Sequence, residues 1–120
     1  MRTTLKASNV AHTNALDTYV GKRLKDLEKV LEPKEKSEVA RVDIGAANKH
    51  HKEGKDLYYA EITLHVKGKD FRAVAKANDL YAAIDKMRDM IVREVTSYHK
   101  QRRSLEKKGG QEIKKRVMRS

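Results

Sequence analysis

Lys86, Arg93 and Lys100 stand seven residues apart. Seven residues make almost two turns of an α-helix, so the three side chains superimpose on one side. Lys22, Lys25 and Lys29 follow the three- and four-residue spacing of a second helical face, and Arg23 sits at the edge of that helix's apolar stripe. Such rows suit phosphate, because each phosphate neutralised by Lys or Arg releases counterions, and arginine adds a planar fork that binds two oxygens at once. Arg88 runs along one flank of the first row, and Arg102 and Arg103 extend its end. The competing reading is a solvated face. Asp26 and Glu28, and Asp85, Asp89 and Glu94, lie within three or four residues of several of these cations. For one lysine alone the solvated reading is the stronger; the set as a whole favours nucleic acid.

Other chemistry is poorly supported. His50 and His51 with Glu53 could suggest a metal, but a site needs three or four convergent ligands, and adjacent histidines in a Lys-rich loop ordinarily sit in water. His65, on a strand with Glu61, Thr63 and Lys67 on its face, reads as a solvated sheet position. Asp79 reads as a helix cap. No nucleophile motif and no glycine-rich phosphate loop occurs. Tyr58, Tyr59 and Tyr81 read as core rather than as a base-stacking platform. No catalytic residue, metal ligand, cofactor or small-molecule substrate is therefore expected, and the chain is expected not to be an enzyme.

The elements that must position the cations follow from periodicity. "RTTLKAS" (2–8), "EVARVDIGA" (38–46), "LYYAEITLHV" (57–66) and "FRAVAKA" (71–77) alternate as strands with one buried face, Thr3, Leu5 and Ala7 forming that of the first. Residues 67–70 read as the turn of a hairpin joining the last two. Thr13 caps a helix whose Leu16, Val20, Leu24, Leu27 and Leu31 repeat until Pro33 stops it. Asn78 or Asp79 caps a second helix from about Leu80 to about Arg103, with Leu80, Ile84, Met87, Ile91, Val95 and Tyr98 in one stripe flanked by Ala83 and Met90. The order β-α-β-β-β-α predicts an α+β two-layer domain, a four-stranded sheet with two helices packed on one face. The helix between the first two strands makes them parallel neighbours; the hairpin makes the last two antiparallel.

The 120 residues carry 28 Lys and Arg against 17 Asp and Glu, a net +11. Residues 99–120 hold nine of those cations and two acids, a net +7, leaving +4 for residues 1–98. A near-balanced body with a basic end points to a polyanionic partner. Residues 1–105 are thus expected to form the binding domain and 106–120 a basic, disordered tail. Cys is absent, no apolar stretch approaches the roughly 20 residues a bilayer crossing needs, and the N-terminus lacks an apolar signal segment. A cytoplasmic protein with no membrane partner is expected.

"DLYAAIDKM" following "FRAVAKAN", with "NVAHTNALDTYVGKRLKDLEK" near the start, resembles the ribosome hibernation promoting factor and ribosome-associated inhibitor A family. The likeness covers residues 1 to about 103 in the same element order; Asp79, Tyr81, Ala83 and Ile84, and Thr13, Ala15, Val20, Leu27 and Glu28, carry it. It implies a domain that binds the small ribosomal subunit and its rRNA in the channel of messenger and transfer RNA, silencing idle ribosomes under starvation, stationary phase or other stress. Of the family's basic helix positions, Arg23, Lys29, Lys76 and Arg93 match here. Met90, Ser97 and Asp26 stand where family lysines fall, while Lys22, Lys25, Lys86 and Arg88 supply charge from neighbouring positions. The tail resembles that of the short form with a basic extension, or of a long form cut at its linker. The alternative is a protein-interaction module, or a domain like those that bind double-stranded RNA, with a basic face.

Overall fold

A computed structural model describes residues 1–36, 38–47, 57–66 and 68–118, with side chains through residue 109. The elements are β1 (Arg2–Ser8), α1 (Asn14–Val30), a 3-10 turn (Pro33–Glu35), β2 (Val39–Ala46), β3 (Tyr58–Val66), β4 (Lys69–Ala77) and α2 (Leu80–Met118). They form a four-stranded sheet in the order β1-β2-β3-β4, the expected β-α-β-β-β-α domain. β1 pairs parallel to β2, as the intervening helix requires, and the two remaining pairs are antiparallel.

Local chemistry sets the boundaries. Thr13 Oγ1 accepts the Leu16 amide at 3.2 Å and starts α1. Leu31 leaves the helical region two residues before Pro33. At α2 the cap is Asp79, whose Oδ2 accepts the Ala82 amide at 3.3 Å. The hairpin turn is tighter than expected: Val66 already pairs with Lys69, so Lys69 and Asp70 belong to β4. Gly68, at φ +80, supplies the left-handed backbone such a turn needs.

Alternation and helical spacing meet in one core. Ala40, Val42 and Ile44 of β2, Ala60, Ile62, Leu64 and Val66 of β3, and Phe71, Ala73, Ala75 and Ala77 of β4 are buried on one sheet face. Leu16, Val20, Leu24 and Leu27 of α1 and Leu80, Ile84, Met87, Ile91 and Val95 of α2 close over them. Each large side chain so buried contributes on the order of 2 kcal/mol of transfer free energy. β1 departs from the expectation of a buried face: Thr3 is exposed and Leu5 and Ala7 half-buried, because α2 packs over β3 and β4 and leaves this edge of the sheet less covered. Tyr81 also departs from its assignment to the core, being 41% exposed.

The larger difference is the length of α2. The basic stretch from residue 106, expected to be disordered, continues the helix as far as Met118. Apart from Ser104, residues 103–108 are good helix formers, and Arg102 and Glu106 pair at 3.7 Å across one turn. At about 1.5 Å per residue the 39-residue helix is about 58 Å long. It sets the long axis of a molecule measuring 70 × 30 × 18 Å.

Candidate nucleic-acid interface

The two helices lie side by side on the sheet, and their touching flanks are polar. Tyr19 of α1 meets Tyr81 edge to face, centroids 4.7 Å apart, and donates its hydroxyl to Asp85 Oδ1 at 2.8 Å. Arg23 Nε lies 3.1 Å from Asp85 Oδ1. The approach is out of line for a hydrogen bond and leaves that nitrogen in purely ionic contact. One turn on, Arg88 reaches back from α2 to Asp26 at 3.3 Å while also holding Asp89 at 2.9 Å. Partners on α1 and α2 rise in number together, so the helices run parallel.

That alignment decides where the predicted cations fall. On α1, Lys22, Lys25 and Lys29 are exposed opposite the stripe of Leu16, Val20, Leu24 and Leu27. On α2, Lys86, Arg93 and Lys100 are exposed opposite Met87, Ile91 and Val95. Both rows therefore stand on the outward surface of one helical layer, with the seam of Arg23, Asp26, Asp85, Arg88 and Asp89 between them. Among the described residues Lys22, Lys25, Lys86, Arg93, Lys100 and Arg103 make no ion pair, whereas Lys29 approaches Asp26 at 3.7 Å.

The remaining predicted residues are placed differently. Arg88, its side chain 18% exposed and closed by two carboxylates, is a strut between the helices. Arg102 pairs with Glu106 beyond the sheet. Lys76 lies on the exposed side of β4, away from the helical layer, though its carbonyl accepts a hydrogen bond from Lys86 Nζ at 3.3 Å and so ties the two layers at one end. His65 is solvent-facing as expected and pairs with Asp70 on the adjacent strand. The His50, His51 and Glu53 loop lies outside the described residues.

The Tyr19 hydroxyl foremost, and Asp85 after it, raise the Arg23 pKa above the ordinary arginine value, outweighing the desolvation that lowers it. The Tyr19–Asp85–Arg23 network was not legible from spacing within one helix. Its trace in the sequence is a matched pair of flanks, Tyr19, Arg23 and Asp26 facing Tyr81, Asp85 and Arg88 at the same three- and four-residue steps. No group of three or more His, Cys, Asp or Glu residues that could hold a metal occurs among the described residues. No described helix is long and apolar enough to cross a membrane.

A two-layer α+β domain whose helical layer carries the cations is the class that fold and surface define. The family model described as sigma 54 modulation protein / S30EA ribosomal protein matches residues 3–103. The chain belongs to that family, one of ribosome-associated hibernation factors that are not enzymes. Among solved structures it is similar to the N-terminal domain of Protein Y from Thermus thermophilus, with a TM-score of 0.67 and 29% identity over 82% of this chain and 99% of that one. It also shares its fold with a ribosomal subunit interface protein from Coxiella burnetii, with a TM-score of 0.65 and 17% identity over 82% of this chain and 98% of that one. None of the curated protein sequences compared matches it.

Proposed function

We propose that this protein docks its helical layer on rRNA of the small ribosomal subunit, in the channel used by messenger and transfer RNA, and silences idle ribosomes by occupying it. Residues 1–105 form the docking domain, and 106–120 a basic extension that adds contacts to RNA. The protein acts by occlusion and charge, without catalysis. The observation that carries the reading is the outward row of cations that make no ion pair among the described residues, Lys22 and Lys25 on α1 with Lys86, Arg93 and Lys100 on α2. Cations whose donors are all taken up by carboxylates would gain little from phosphate, since each new contact would break an old one; those with free donors keep the gain of counterion release. Recognition of this kind reads the spacing of phosphates and the shape of folded RNA rather than base sequence.

The test is co-sedimentation with purified small subunits across a salt series. Binding whose logarithm falls steeply and linearly with the logarithm of salt concentration, in competition with messenger and transfer RNA, is the expected outcome. Binding that is insensitive to salt, or indifferent to both RNAs, would remove the reading.

A further inference from the structure

Resting on the ribosome-binding reading, we propose that Asp85 is a positioning residue for Arg23, aiming its guanidinium at a phosphate of the bound RNA. An arginine side chain has four rotatable bonds, and ordering it on binding costs affinity. Here the ordering precedes any ligand. Asp85 holds the Nε edge at 3.1 Å, the Tyr19 ring lies 4.8 Å from the guanidinium carbon, and the Tyr19 hydroxyl is itself fixed on Asp85. Tyr81 buttresses the Tyr19 ring from the side. With Nε buried against Asp85 in ionic contact, the edge formed by the two terminal nitrogens is the one left for a phosphate, and its two parallel donors can bind two oxygens at once. Arg23 has one ion pair among the described residues and is 39% exposed, unlike Arg88 beside it, which two carboxylates close off.

Positioning by Asp85 reverses the sign that simple charge counting gives. A carboxylate in a cationic surface repels phosphate, so its removal should raise affinity for any polyanion. If Asp85 instead positions Arg23, its removal should weaken binding to a surface of fixed shape while leaving a shapeless polyanion unaffected or better bound.

Asp85→Asn keeps an acceptor for Tyr19 and removes the charge. Affinity of the full chain would be measured for purified small subunits and for heparin at one ionic strength, with thermal melting alongside. The variant is expected to lose about two- to tenfold in subunit affinity, the cost of ordering one long side chain, with heparin affinity equal or higher. In an Arg23→Ala background the same change should no longer weaken subunit binding. Tyr19→Phe, which keeps the ring and deletes the hydroxyl, should move subunit affinity in the same direction by less. Tighter subunit binding by Asp85→Asn, or an equal loss with and without Arg23, overturns the positioning role alone. A wild-type protein that holds subunits no more tightly than heparin overturns the ribosome reading, and the positioning role with it.

Discussion

His99 Nε2 lies 2.9 Å from Oε1 and 3.2 Å from Oε2 of Glu35, joining α2 to the 3-10 turn that leads from α1 into β2. Glu35 is 4% exposed, the one buried charged residue among those described, and its Oε1 also accepts the Glu32 amide at 2.8 Å. A carboxylate so placed needs every partner it has, since burying it unsatisfied costs more than the pair itself contributes.

His99→Ala should therefore lower the free energy of unfolding by about 2 kcal/mol, the penalty of a buried acceptor that loses a partner. Chemical denaturation measures it. A midpoint equal to that of wild type would mean that water replaces the imidazole at no cost.

Gly45 of β2 faces Ser8 of β1 in register, and a methyl group added there would overlap the Ser8 carbonyl oxygen and lie 3.0 Å from the Tyr59 hydroxyl. The obstructing oxygen belongs to backbone that cannot swing aside. Gly45→Ala should destabilise the fold by about 1–3 kcal/mol through forced backbone shifts. Melting would detect it, and an unchanged transition would show that β1 slides freely.

His65 gives the one pH dependence the structure motivates. The hydrogen bond to Asp70, and then its Coulomb field, raise the imidazole pKa above the ordinary histidine value. The folded state thus holds this proton more tightly than the unfolded one. The stabilisation is complete below the unfolded pKa, about 6.5, and fades as pH rises through the higher folded value. The difference in melting temperature between wild type and His65→Gln should be present below the unfolded pKa and vanish as pH rises past the higher folded value. A difference that grows with pH contradicts the pairing.

Reversing Lys86, Arg93 and Lys100 to glutamate should abolish co-sedimentation with small subunits. Because all three are exposed and make no ion pair among the described residues, each change should cost within about 0.5 kcal/mol of stability. Retained association at unchanged melting would assign binding to another face.

Truncation after Leu105 removes a stretch of α2 whose residues 106–109 are all exposed. Melting should hardly change, while the salt slope of ribosome binding should shrink by about one for each phosphate that the extension neutralises. An identical slope would leave the extension without a role in binding RNA.

The fold was legible because its elements are locally consistent. Thr13, Pro33, Asp79 and Gly68 mark boundaries by chemistry that acts within a few residues, and strict alternation in β3 and β4 leaves no choice of buried face. The end of α2 was not legible, since helix propensity without an apolar stripe reads equally as solvated coil. The cation rows were legible from single-helix spacing. Which cations stay free was not, because pairing of Arg23 with Asp85 and of Arg88 with Asp26 depends on how two helices distant in sequence abut. Glu35 with His99 is the same case across 64 positions.

Parallel pairing has a cost in time as well as in connectivity. Arg2 of β1 meets Val39 of β2, so the first strand to leave a translating ribosome finds no neighbour until α1 and the start of β2 have followed it out. β3 and β4 close on each other across a tight turn and wait for nothing. Synthesis and maturation should thus run in opposite order, the segment made first being among the last to gain protection from hydrogen exchange. Pulse labelling during refolding would see β1 amides lag those of the hairpin.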